Sequence, residues 1–479
     1  MRRLLVSAAC LAALLPITLT ATPADAGPAG RWTSVSGAAA DLGIIMRPSA
    51  YRTADDVLHV VYVRKDGASS YSLWHSAVGD DGRVLRNNVV LSDWDTIAKD
   101  PRIVPTTTGL RIAFGGQRTT DRTDPYGGGQ AFQIDSTDGG ATWSLLPGTI
   151  GEASIGTGYG MGATDMPDGS TYVSGALNAR VLYRNGSYDP EAPVASPSFD
   201  TATCCAYDTE LARVPGTDQV WMSWMANGRT ADSIGNFVRQ ISPTLGPILK
   251  APQSSVNSDS GLANSPLSGS PPLVAKADGS VYLAYPVGYP TRRYVGIWKV
   301  GSSRVVRVPA SEEARYADLS VDRAGRLWVA WVSRHTVRAA RSNPGVTAFG
   351  PARGLGTLKV AGADSTWGVL IDGTGNRPNA DVIATNGRQL LHQEVLAGLS
   401  LRATPTSWRG SGRQRVTFTV TDAGAALAGA RVSAGGRNCT TSAAGTCSMR
   451  LSAPRPRVIT ATARKAGYTG DQVNLRVRR

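Results

Sequence analysis

The sequence predicts an all-β protein: a propeller of six or seven blades over residues 27–399, followed by a small β-sandwich over 400–479. Three observations carry this. A short strand, a Gly/Asp turn, a stronger alternating strand and a third strand recur seven times between residues 40 and 398. Their spacing of roughly 46–60 residues suits a four-stranded blade. The chain holds 54 Gly and 28 Pro but only 18% charged residues, the balance of a turn-rich folded protein rather than a disordered one. Beyond Leu399 the spacing breaks and short strands crowd together.

From the N-terminus, residues 1–26 read as a secretory signal peptide. Arg2 and Arg3 open it, Leu4 to Leu19 is an apolar stretch broken by Pro16, and Ala24-Asp25-Ala26 gives a small-x-small cleavage site before Gly27. No run is long and uninterrupted enough for a retained membrane span, so the expected location is extracellular, free or associated with the cell wall. The second strands of the seven repeats fall at 57–63, 110–114, 171–174, 220–224, 281–285, 327–331 and 381–384. Val281-Tyr-Leu-Ala-Tyr285 and Leu327-Trp-Val-Ala-Trp331 are the clearest, with β-branched and aromatic residues throughout. A lone four-stranded blade cannot bury its own faces; stacking blades around an axis buries them and leaves only short edges. A β-helix or a row of Ig-like domains competes, but each copy shows about three strands before it repeats.

Residues 404–408 read as a linker into a second unit with strands at 415–421, 430–433, 448–451, 458–462 and 473–477. That unit resembles the Ig-like accessory domains appended to many secreted bacterial proteins. It also holds most of the charge: residues 400–479 carry fourteen Lys or Arg against Asp422 and Asp471, in a chain whose net charge is +14. The large N-terminal part is therefore close to neutral. A basic module of this kind favours polyanions, and anionic cell-wall polymers are the expected partner, since no nucleic-acid reader motif is present. Of the cysteines beyond the signal segment, Cys439 and Cys447 flank a turn and are read as a local disulfide stapling a hairpin. Cys204 and Cys205 are adjacent, which leaves a strained vicinal disulfide or two free thiols.

The most specific motif is Ser136-Thr-Asp138-Gly-Gly140-Ala-Thr-Trp143. Its Asp and Ser are suited to closing a tight turn onto backbone amides, its Gly to permitting the turn, and its Trp to plugging between strands. The motif resembles the Asp-box (BNR repeat) of the sialidase-like propeller superfamily, and Ser342 to Phe349 is a degenerate second copy with Pro and Phe in place of Asp and Trp. The resemblance covers about 360 residues in architecture and a dozen positions in motif. It implies a glycoside hydrolase with an arginine triad on the substrate carboxylate, a Tyr nucleophile assisted by a Glu, and an Asp acid/base. Tyr316-Ala-Asp-Leu319 opens the sixth repeat where that family has Tyr-Ser-x-Leu, so Tyr316 takes the nucleophile's place. Asp208 or Glu210, opening the fourth repeat, takes the assisting role, and Asp66 that of the acid. Arg47, before Pro48, stands where the family has Arg-Ile-Pro, with Arg64 nearby, and Arg229 and Arg292 complete the clamp. The chain departs from the family in its broken Arg-Ile-Pro, its single intact Asp-box and its seven repeats against six blades.

The implied function is recognition of extracellular or cell-surface glycans, with or without cleavage of a terminal acidic sugar; the alternative is a non-catalytic binding or adhesion propeller. Arg forks hold a carboxylate in bidentate fashion and a carboxylic acid can protonate a leaving group, so the residue types fit either reading. No cofactor is implied. The four His, at 59, 75, 335 and 392, are scattered and give no signature of a metal site or a Ser-His-Asp arrangement. Gly127-Gly-Gly129 precedes no helix and is not a phosphate-binding loop.

Overall fold

The second strand of each repeat lies inside a sheet, which is why its residues are apolar on both faces. The computed structural model describes residues 30–36, 47–97, 100–117, 130–147, 159–177, 180–185, 198–200, 206–227, 231–254, 271–288, 293–312, 314–333, 335–358, 368–375, 378–386, 389–410, 412–452 and 457–478. Apart from one 3-10 turn at Ala231–Ser233, the regular structure among them is strand.

Six sheets of four antiparallel strands follow one another in chain order. Sheet 1 runs from its inner strand Ser49–Arg52 through Leu58–Gly67 and Ser70–Val78 to Val84–Trp94, and sheet 2 from Arg102–Pro105 through Leu110–Gly116 and Gln130–Ser136 to Ser144–Leu145. The inner strands of sheets 3 to 6 are Tyr159–Asp165, Ala206–Arg213, Leu273–Ala275 and Ala314–Val321. Sheet 7 consists of Val369–Asp372, Asn379–Asn386 and Gln389–Thr404, completed by the N-terminal strand Thr33–Ser34, with Thr33 opposite His392. Each inner strand contacts the next, and that of sheet 7 returns to that of sheet 1. The sheets therefore close into a ring, a β-propeller, and every expected second strand overlaps the second strand of its sheet, with only Val57 falling outside.

The core sits between neighbouring sheets. Trp328 and Val332 of sheet 6 pack with Val369 and Val382 of sheet 7, and Trp331 packs with Ile297 of sheet 5. Burying a large apolar side chain stabilises by about 1.5–3 kcal/mol, so these seams are what each sheet gains from having neighbours.

The Ser136–Trp143 turn joins sheet 2 to sheet 1. Ser136 Oγ accepts from Gly140 N at 2.8 Å, and Asp138 Oδ1 accepts from Thr142 N at 2.9 Å. Those bonds from Thr142 hold the Asp138 carboxyl well below its usual range. Gly140, at φ +81°, lies flat on the ring of His75, and Trp143 meets that ring edge-on. Asn88 of sheet 1 donates to Gly140 O. In the degenerate copy Asn343 Oδ1 accepts from Thr347 N at 2.8 Å, so Asn343 does the work of Asp138 one position earlier than the alignment with Pro344 places it.

The strand Gln389–Thr404 belongs to two sheets. Up to Leu396 it pairs within sheet 7, and from Leu399 it pairs with Gln414–Asp422, so the expected 399/400 boundary falls inside one continuous strand. Gln414–Asp422 pairs in turn with Thr446–Leu451. A five-stranded sheet in the order Ser407–Arg409, Asp471–Arg478, Arg457–Arg464, Arg431–Ala434 and Arg437–Thr440 packs against them over Leu401, Phe418, Val432 and Leu475. Cys439 and Cys447 are bonded, and the bond ties the five-stranded sheet to the opposite one rather than stapling two strands of a hairpin. Asp422, only 2% exposed in its side chain, receives Arg326 at 2.6 Å and Arg341 at 3.2 Å from sheet 6, so the C-terminal unit is locked to the ring.

Candidate binding site on the propeller axis

Seven short inner strands around one axis leave a central space, and ten of the residues lining it are charged. A cavity of about 700 Å³ runs along this space. Its inner layer is built by Arg47 and Arg102, just before and at the start of the inner strands of sheets 1 and 2, with Glu210 of sheet 4 and Asp318 of sheet 6. Arg47 Nη2 bonds Asp318 Oδ1, and its Nη1 lies 3.5 Å from Glu210 Oε2. Arg102 Nη2 reaches the same Glu210 oxygen at 3.0 Å, while its Nε donates to Met161 O at 2.5 Å. Asp318 Oδ2 accepts from Ile371 N at 2.8 Å, and Arg47 N donates to Asp100 Oδ1 at 2.6 Å. One buried network thus crosses the axis between sheets 1, 2, 4 and 6.

Burial opposes charge at Arg47 and Glu210, and the pairings answer it unevenly. Although burial works against it, Arg47 is held more firmly charged by Asp318, Glu210 and Asp100. Burial pushes the Glu210 carboxyl up against the pull of Arg102 and Arg47. Arg47 Nη1 has no hydrogen-bond acceptor among the described residues, although the side chain is only 6% exposed. A buried guanidinium N–H without an acceptor is costly, and Arg52 Nε on the same wall is a second such donor.

The outer part of the cavity is lined at the turns that follow the inner strands. Arg52 bonds Asp381 and lies 3.5 Å from Asp372, Arg213 bonds Asp165 at 2.5 Å, and Lys276 lies 3.4 Å from Asp278. Exposed Pro215, Ala277 and Arg323 edge that end, and Tyr51 contributes a half-buried ring. Along the wall six cationic side chains (Arg47, Arg52, Arg102, Arg213, Lys276, Arg323) face four carboxylates (Glu210, Asp318, Asp322, Asp372), a net positive lining.

Of the residues singled out from sequence, Arg47 and Glu210 meet in this layer. Tyr316 does not line the cavity; its ring packs in the seam between sheets 6 and 7, against Val332 and Gly368. Asp208 sits half-buried at φ +45°, where the inner strand of sheet 4 shifts register. Asp66 and Arg64 lie 4.0 Å apart on the turn of sheet 1, with Arg64 over the Trp74 ring at 4.5 Å, away from the cavity wall. Arg229, Arg292, Cys204, Cys205 and the signal segment 1–26 lie outside the described residues. Sequence reasoning missed Arg102, Asp318, Arg52, Arg213, Lys276 and Asp372. Their shared signal is position: each is a charged residue on a first, inner strand or immediately after one.

No family model matches the chain, and no curated protein matches it. Among solved structures it is similar to selenomethionine-substituted virginiamycin B lyase from Staphylococcus aureus, at 9% identity over 75% of this chain and 98% of that one, with a TM-score of 0.43. It is also similar to the polysaccharide lyase Uly1 at 9% identity (73% and 90% covered, TM-score 0.43) and to a lectin of Aleuria aurantia at 11% (74% and 93% covered, TM-score 0.40).

Proposed function

We propose that this chain is an exported glycan-binding protein: a seven-bladed, sialidase-like propeller that holds a terminal acidic sugar in its axial cavity, followed by an Ig-like module. The observation that carries the reading is the axial cavity of about 700 Å³, whose charged side chains are net positive. A sugar carboxylate pairs with the cationic side chains of the wall, the Tyr51 ring offers a face for stacking, and the volume falls within the range of small-ligand sites. The assignment to the sialidase-like group rests on the Ser136–Trp143 turn. Export rests on residues 1–26, and N-terminal sequencing of the mature protein beginning at Gly27 is its check.

Binding is favoured over hydrolysis because Tyr316, in the nucleophile's place, packs in a seam away from the cavity. Glu210 is held by Arg102, Asp318 by Arg47, Asp372 by Arg52 and Asp322 by Arg341. Pairing with arginine opposes protonation, but burial raises the carboxyls of Glu210 and Asp372 even so, and their pairing alone does not decide the question. A glycan array followed by titration calorimetry tests the reading: acidic sugars bind, neutral ones do not, and Lys276→Ala and Tyr51→Ala each weaken binding about tenfold. Turnover of aryl glycosides of acidic sugars by the wild type, abolished in Tyr316→Phe, restores the hydrolase reading. Equal binding of acidic and neutral sugars overturns the role given to the cationic wall.

A further inference from the structure

A second surface, independent of the axial cavity, lies on the outward face of the five-stranded sheet. Side chains alternate along its strands. Trp408, Val432, Ile459 and Leu475 point into the sandwich, while Arg409, Arg431, Arg464, Arg476 and Arg478 point out and are exposed. Arg431 stands directly opposite Arg464, and Arg409 directly opposite Arg478. Like charges in register across a sheet destabilise it. The outward face brings no carboxylate to relieve them: Asp471 has the opposite parity and accepts from Leu401 N at 2.8 Å on the inner side. Among the described residues none of these five arginines is paired with an acid.

The arginines form two groups. Arg409, Arg476 and Arg478 lie at one end of the sheet and Arg431 with Arg464 at the other, six residues along the strand from Val458, which faces Arg476. At ~3.3 Å per residue the groups are roughly 20 Å apart. Between them the outward positions are Thr460, Asn474, Thr462 and Gln472, hydrogen-bonding side chains without charge. A single small anion cannot reach both groups, whereas an extended polymer can. The face carries no aromatic ring on which a base could stack, and at five strands it is too wide for a duplex groove.

We propose that this face docks a linear anionic polysaccharide, whose charges meet the two arginine groups and whose hydroxyls meet the threonine and amide side chains between them. The chain so held would present the axial cavity at a polymer-rich surface.

The test uses the full-length protein and polygalacturonate at low salt, with digalacturonate, neutral dextran, a 30-base-pair DNA duplex and phosphatidylglycerol vesicles as comparisons. Wild type is expected to bind polygalacturonate with an affinity that falls steeply with salt, and to bind digalacturonate at least a hundredfold more weakly. The triple variant Arg431→Gln/Arg464→Gln/Arg476→Gln is expected to lose at least tenfold in affinity. Its folding is checked by an unchanged or raised melting temperature, since it relieves like-charge contacts. A control removes the same charge from the opposite sheet, as Arg402→Gln/Arg415→Gln/Arg450→Gln, and is expected to keep wild-type affinity. Equal losses in the two variants overturn the proposal, because binding then follows net charge and not this face. So does tighter binding to the duplex or the vesicles than to polygalacturonate.

Discussion

His59 and His75 make the propeller acid-sensitive in a way that can be measured. The two rings stack at 5.1 Å, His59 Nδ1 lies 2.9 Å from His75 Nε2, and His75 Nδ1 lies 3.2 Å from Asn88 Oδ1. Asn88 is oriented by donating its amide to Gly140 O, so its oxygen faces His75. His75 must then donate through Nδ1 and accept at Nε2 from His59, and a second proton on the pair sets two N–H groups face to face. Burial is the main cause that lowers both imidazoles to about 4. Arg86 adds to it for both, and His59 adds to it for His75; Asp55 opposes it at His59, and Asn88 and Gly140 at His75. In the unfolded chain each titrates near 6.5. Between these values the unfolded state binds more protons, so stability is full above about pH 6.5 and is lost as pH falls towards 4. A gap of about 2.5 units at 1.36 kcal/mol per unit gives on the order of 3 kcal/mol for the first imidazole. Coupling leaves the pair between roughly 3 and 6 kcal/mol, a large part of an ordinary domain's 5–15. Urea unfolding at pH 7.5, 6.5, 5.5 and 4.5 measures it, with His59→Gln/His75→Gln as the comparison. His335 and His392 remain in both proteins, so their contributions cancel. A double variant that loses as much stability as wild type across this window refutes the reasoning, as does an NMR titration placing either imidazole above 6.

Three further outcomes follow from the same packing. Gly140→Ala puts a Cβ 2.3 Å from His75 Cε1 at a φ of +81°, and is expected to lower stability by about 2–4 kcal/mol in urea unfolding. Asp422→Ala leaves Arg326 and Arg341 without their shared buried carboxylate. It should destabilise by about 3 kcal/mol and expose the junction near Thr404 to limited proteolysis. Cys439→Ser/Cys447→Ser opens a loop with a sequence separation of 8, for which chain entropy predicts a loss of about 2.5 kcal/mol, read from the melting of the C-terminal unit.

What could be read in the sequence was whatever one repeat determines alone. Leu327-Trp-Val-Ala-Trp331 announces a strand buried on both faces, and the Ser136–Trp143 turn closes on its own amides, so neither depends on a distant partner. The site is another matter. Arg47 and Asp318 are 271 positions apart and meet only because the ring closes. The four-residue strand Arg102-Ile-Val-Pro105 gives no sign that its arginine faces the axis. Tyr316 illustrates the limit most sharply. The inner strand of sheet 6 was found, but its cavity residue is Asp318, two positions on, because Gly368 of sheet 7 leaves room for the tyrosine ring in the seam. The strand Thr33–Ser34 that completes sheet 7 is two residues long, too short for any periodicity to show.

Charge is treated oppositely at the two ends of this chain, and the contrast bears on function. Where ring closure forces arginines into the axis, carboxylates from other sheets meet them, and among the described residues Arg47 Nη1 and Arg52 Nε are left without a hydrogen bond. On the C-terminal sheet the arginines are exposed, so desolvation imposes no pairing, yet a sequence free to alternate signs sets Arg431 against Arg464 and Arg409 against Arg478. Water screens such contacts enough to tolerate them, at some loss of stability. The opposite sheet sets Arg415 against Arg450 in the same way, so like-charge register alone does not mark a docking face, and the matched triple variants decide between a partner that supplies the acid on the five-stranded sheet and an incidental excess of arginine.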